Sequence, residues 1–166
     1  MSTPATLLAI HKGWAWVVII GNGMAGLWAL GAMRWPSLRT RALWWFTAFV
    51  ELAVFVQVGL GVGMVAGQKR QAPQFHMFYG FVAIIAVGII YSYRQQMRHR
   101  LYLLYGLGGL FIMGLSAAAF AQGADAAAVR PNGLASNYGW IALAAGLGIG
   151  LAALQNPHMS VRLLCH

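Results

Sequence analysis

Acidic side chains are nearly missing from this sequence. It has two Asp+Glu against 11 Lys+Arg, and only 8% of its 166 residues are charged. A soluble domain uses roughly 25% charged residues to face water, so an ordinary soluble enzyme and a disordered tail are both excluded. A single cysteine, Cys165, excludes a disulfide framework and a cysteine-rich metal site. No lysine lies deep in an apolar run, so a retinal Schiff base has no attachment point. No phosphate loop, zinc-protease motif or Ser/His/Asp grouping occurs, and the polar loops are too small for a separate catalytic domain. The N-terminus has no basic stretch ahead of its first apolar run, so no cleavable signal peptide is expected.

What the chain has is apolar surface. Sixty per cent of its residues are hydrophobic, and the mean hydropathy is +0.68. The class that remains is an all-α, polytopic integral membrane protein. The formal charge of +9 does not indicate nucleic-acid binding. The basic residues fall in short clusters between apolar runs, as lipid headgroup contacts and topology require.

Five apolar segments are expected, at about 7–33, 42–66, 75–93, 101–121 and 138–155, the last short and rich in Gly and Ala. They divide the chain into a helical hairpin at 1–66, a second at 67–121, a loop at 122–137, and a fifth segment with a tail at 138–166. Arg34, Arg39, Arg41, Arg94, Arg98, Arg100 and Arg162 fall on one side; Lys12, Lys69, Arg70 and Arg130 fall on the other. The excess marks the Arg34/Arg94 side as cytoplasmic, with the N-terminus outside and the C-terminus inside, in what is expected to be a bacterial inner membrane.

The hairpins look alike. His11, Trp14-Ala15-Trp16 and Ile19-Ile20 align with His76, Tyr79-Gly80-Phe81 and Ile84-Ile85. Arg39-Thr40-Arg41 aligns with Arg98-His99-Arg100. A duplication inserted twice in the same sense predicts a four-helix bundle with a pseudo-twofold axis along the membrane normal. Such an axis can turn His11 and His76 toward each other at one depth, as two axial ligands of one haem. Ala15 and Gly80, four residues on, lie on the same helix faces and leave room for a flat ring. Trp14, Trp16, Tyr79 and Phe81 could wall that ring, and Lys12, Lys69 and Arg70 could pair with its propionates. Each histidine alone reads first as an interfacial side chain; the symmetric pair with small neighbours is what points to a ligand. Copper is a poorer fit, since no carboxylate or third histidine joins the pair and Met64 or Met77 would have to help.

This pattern resembles bundle cytochromes of the haem A synthase and cytochrome b561 type, and related copper-resistance membrane proteins. The matching residues are His11 with Ala15 and His76 with Gly80, over about residues 11–121. The resemblance implies a b-type haem. Those families usually carry four or more haem-ligating histidines; two inside spans imply at most one haem here.

Glu51 is the one acidic residue inside a span, near its centre. A charge at that depth costs about 2.5 kcal/mol or more, so the carboxyl is expected to be neutral unless paired. It is a candidate for proton relay, quinone contact or ion binding; as packing glue it would hydrogen-bond to Asn22. Gly59-x-x-x-Gly63-x-x-x-Gly67 predicts a groove for close helix approach, within the chain or against a partner. The expected function is a small membrane subunit of a larger energy-transducing or transport complex, binding one haem through His11 and His76 for electron transport. The alternatives are a structural subunit without cofactor and a small proton-coupled carrier using Glu51.

Overall fold

A computed structural model of the chain describes residues 4–127, residue 70 excepted. They form four α-helices: α1 (Pro4–Arg34), α2 (Arg41–Gln68), α3 (Gln74–Tyr93) and α4 (Leu101–Ala127). All four are long and apolar enough to cross a membrane. The shortest, α3, has 20 residues, enough at about 1.5 Å per residue to match a hydrocarbon core of about 30 Å. Helices suit that medium because every backbone N–H and C=O is bonded within its own segment. The outward faces are apolar: Ile20, Leu27, Leu52, Phe81, Ile85 and Leu107 are each more than half exposed, as contact with lipid tails allows.

The linkers stop and restart the helices by identifiable means. Arg39 donates from Nε to the Ala32 carbonyl at 2.8 Å and from Nη2 to the Met33 carbonyl at 3.2 Å. It thereby satisfies carbonyls that the end of α1 leaves open. The same guanidinium lies 5.4 Å from the Tyr102 ring centroid, so this expected topology anchor also ties α1 to α4. Thr40 caps α2, its hydroxyl accepting from the Leu43 N–H at 3.4 Å. Lys69 ends α2 in the left-handed region at φ 52°, and Pro73 precedes α3.

The expected spans hold to within three residues at every boundary but one. Residues 122–127, expected as the start of a loop, continue α4 to Ala127. Alanines at 124, 126 and 127 favour helix, and the glycine among them sits where α4 passes close to α3. The expected fifth segment, 138–155, lies outside the described residues, as do Arg70, Arg130, Arg162 and Cys165.

Packing is uneven. α1 packs most closely on α4, then on α2, and α3 packs on α4, while the α2–α3 seam is sparse. A twofold relating the hairpins would make α1–α4 and α3–α2 equivalent, and these two interfaces differ. The tight one is built on glycines. A Cβ at Gly109 would stand 2.9 Å from the Asn22 carbonyl oxygen and 3.1 Å from Gly26 Cα. A Cβ at Gly26 would stand 2.8 Å from the Gly106 carbonyl oxygen. Only the absence of side chains lets these backbones approach so far. At the linker end Ala29, Ala32 and Leu43 form a closed core roofed by Trp28, Leu38, Tyr102 and Tyr105.

Candidate functional site

His11 lies in the second turn of α1 and His76 in the first turn of α3, at the bundle end opposite the Arg34/Arg94 linkers. Their ring centroids are 5.9 Å apart with an interplanar angle of 62°. Two imidazoles on opposite sides of one ion, each nitrogen about 2.0–2.1 Å from it, put their centroids at about this separation. His11 is turned inward and only 8% exposed; His76 is partly buried.

Neighbouring helices hold both rings. His76 Nδ1–H donates to the Ala119 carbonyl at 2.8 Å. That bond orients the ring and leaves Nε2 with its lone pair free, the support that metal-bound histidines commonly receive. A Cβ at Gly123 would stand 3.0 Å from the same Nδ1, so the glycine admits the ring against α4. His11 Nε2 faces the Gln57 side-chain amide nitrogen at 3.3 Å, and a Cβ at Gly61 would stand 3.3 Å from His11 Cε1. His11 Nδ1 and Gln57 Oε1 are buried without hydrogen-bond partners. Turning the Gln57 amide over pairs its oxygen with Nε2–H and makes Nδ1 the unpartnered lone-pair nitrogen. The donor set thus offers one ring with a free, anchored nitrogen and one with an orphaned nitrogen, on rings whose centroids are 5.9 Å apart. That fits an ion held by two imidazoles. Among the described residues no group of three or more His, Cys, Asp or Glu could hold a metal, so a multi-carboxylate or cysteine centre finds no ligands there.

The expected surroundings are only partly assembled. Ala15 and Tyr79 are buried. Gly80 faces Val58, whose Cγ2 would be 3.6 Å from an added Cβ, so α2 fills the lane expected beside His76. Trp14 turns to α2 and donates from Nε1 to the Ala53 carbonyl at 3.0 Å. Trp16 and Phe81 point outward, each 52% exposed, because they lie on the lipid-facing sides of their helices. Lys12 and Lys69 are exposed. Gln57 and Ala119 were not anticipated. Gln57 is one of few polar residues in a span and lies on the antiparallel neighbour of α1 at the depth of His11, which was the available signal.

Glu51 stands apart, toward the opposite end, on the wall of a cleft of about 580 Å³ with Trp44, Tyr91, Arg94, Arg98 and Tyr105. Its carboxyl takes no hydrogen bond or ion pair among the described residues. The expected Asn22–Glu51 bond does not form. Asn22 Nδ2 donates to the Val18 carbonyl at 2.9 Å and the Val50 carbonyl at 3.3 Å, because Val50 is the residue of α2 that faces α1. Gly59, Gly63 and Gly67 have open space where a Cβ would stand, so the groove they form is not filled from within the described chain.

Comparison with protein families, with curated proteins and with solved structures finds no match in any of the three. The likeness to haem A synthase and b561 bundles therefore rests on the two histidines and their small neighbours.

Proposed function

We propose that this protein is a small integral membrane subunit that binds one b-type haem through His11 and His76 and serves electron transfer within a larger energy-transducing or transport complex. The observation that carries the reading is the meeting of two imidazoles from aligned positions of α1 and α3, with centroids 5.9 Å apart. One is anchored by a backbone carbonyl and the other keeps a buried nitrogen without a partner. A haem bound there would supply a one-electron carrier; the chain's part is to present both imidazoles and keep their outer nitrogens bonded. The hairpin duplication belongs to this reading as the origin of the matched histidines, with a pseudo-twofold axis that the unequal α1–α4 and α2–α3 seams no longer keep; so does an N-terminus on the outer face of a bacterial inner membrane. The uncovered strip Gly59, Gly63 and Gly67 supplies a seat for a neighbouring subunit or a second copy.

The test is haem stoichiometry in the purified full-length chain, by absorbance after dithionite reduction. The expected result is a Soret and an α band at about one haem per chain, lost in His11→Ala and His76→Ala. Absence of both bands from fully haem-supplied wild type would exclude the reading.

A second reading has its own support. Gln57 Nε2 lies 3.3 Å from His11 Nε2, and the two rings meet edge to face. As a polar cluster this joins α1, α2 and α3 in a structural subunit without cofactor. In that case His11→Ala lowers thermal stability with no spectral change.

A further inference from the structure

The cleft at the arginine-rich end belongs to none of the chemistry above. It opens between the first turns of α2 and α4 and the last turn of α3. It is a wide-open cleft of about 580 Å³, large enough for a small ring compound, since small-molecule sites run to roughly 300–1,000 Å³. Its ends differ in chemistry. Arg94 and Arg98 stand at the mouth, and the Arg94 guanidinium lies 4.0 Å from the Tyr91 ring centroid. Trp44 and Tyr105 form aromatic wall, their ring centroids 5.3 Å apart. Glu51 is ten residues along the 28-residue α2 from Arg41, about one turn short of the middle of that helix on the arginine side.

Two polar groups on this wall have nothing to bond. Neither the Glu51 carboxyl nor the Tyr105 hydroxyl makes a hydrogen bond among the described residues. Thr47, on the same wall, is already spent on the Leu43 carbonyl at 2.8 Å. Both groups face the cleft without a protein partner, and a ligand that bonds to them supplies the partner that lipid cannot. An anionic lipid headgroup would meet the arginines at the mouth and leave Glu51 and Tyr105 unmet. A flat, uncharged ring with an oxygen at each edge suits both chemistries: one oxygen accepts a hydrogen bond from the carboxyl or phenol O–H, the other accepts from a guanidinium N–H, and an aromatic side chain covers the ring face.

We infer that this cleft binds a quinone-class molecule, its ring lying against the Trp44–Tyr105 wall and its inner oxygen at Glu51. The site is separate from the histidine pair and does not depend on it.

The test is calorimetric titration of the purified full-length chain with a decyl-substituted benzoquinone, with dihexanoyl phosphatidylglycerol as the competing anionic lipid. Expected is saturable binding of one quinone per chain, weakened tenfold or more by Glu51→Leu, several-fold by Tyr105→Phe, and abolished by Ala48→Trp, which fills the cleft. Phosphatidylglycerol should not displace the quinone. Circular dichroism shows which variants are folded, and the conservative Tyr105→Phe keeps the test decisive if the bulky one is not. No saturable binding to wild type, or equal binding by wild type, Glu51→Leu and Tyr105→Phe, would overturn the inference. So would displacement by phosphatidylglycerol with loss of binding only in Arg94→Ala and Arg98→Ala, which would mark an anionic-lipid seat. Heat is read without any haem band, so failure here and failure of the haem reading are separate results.

Discussion

His76 donates from Nδ1 to the Ala119 carbonyl at 2.8 Å, and its ring centroid stands 5.9 Å from that of His11. One backbone carbonyl of α4 thus sets the orientation of a side chain on α3 toward a side chain on α1. Gly123, one turn beyond Ala119, makes the approach possible, since a Cβ there would stand 3.0 Å from the same nitrogen. Gly123→Ala should push the His76 ring off its carbonyl. The expected outcome is reduced haem occupancy at nearly unchanged helix content, measured as haem per chain beside far-ultraviolet circular dichroism. Full occupancy in the variant would mean that this bond does not set the ring.

Gln57 plays the corresponding part for His11, at 3.3 Å. Removing the outer partner of a liganding histidine costs roughly 10- to 100-fold in affinity. Gln57→Leu should weaken haem retention on that scale, read from the rate of haem transfer to an excess of apomyoglobin. Retention equal to wild type would make Gln57 a packing residue only.

The glycines divide into two kinds. Gly109 stands against backbone atoms of Asn22 and Gly26, which cannot move without separating α1 from α4. Gly109→Val should cost at least the roughly 1–3 kcal/mol typical of overpacking, seen as a lower thermal transition of the bundle in detergent. Gly59 faces open space, and Gly59→Ala should leave that transition unchanged within about 0.5 kcal/mol, as surface substitutions do. A reversed order would contradict the packing described here.

Asn22 links α1 to α2 through the Val50 carbonyl at 3.3 Å. Interhelical hydrogen bonds in membranes average about 0.6 kcal/mol and reach about 1.7. Asn22→Leu should therefore lower stability by about that range, measured by reversible unfolding in mixed micelles. An effect well above that range would mean that Asn22 does more than bridge two helices.

Much of this architecture was legible in the sequence. Runs of about 20 or more mostly apolar residues bounded by Arg34, Arg41, Pro73, Arg94 and Arg100 mark four helices, because a strand crosses lipid in about 9–11 residues and a helix needs about 20. The inward meeting of His11 and His76 could be anticipated from their matching positions alone. The rest depended on rotation and tilt, which apolar runs do not encode when every face is greasy. Hence the apolar pattern suggests Glu51 as the partner of Asn22, whose acceptors are the Val18 and Val50 carbonyls, and an open lane beside Gly80, which Val58 lines. Glycines at four-residue spacing on α2 suggest a close crossing there, but the close crossing is made by Gly26 with Gly106 and Gly109. That crossing pairs two helices distant in sequence and has no single-helix signature. Alanines after residue 121 carried α4 past its expected end, where Gly123 meets His76.

The most direct measurement is low-temperature electron paramagnetic resonance of the oxidised, haem-supplied full-length protein. Two imidazole ligands on one ferric haem give a low-spin signal. The account predicts that signal in wild type, converted to high-spin or lost in His11→Ala and in His76→Ala. A wild-type spectrum without ferric haem, or a low-spin signal that survives loss of either histidine, would contradict it.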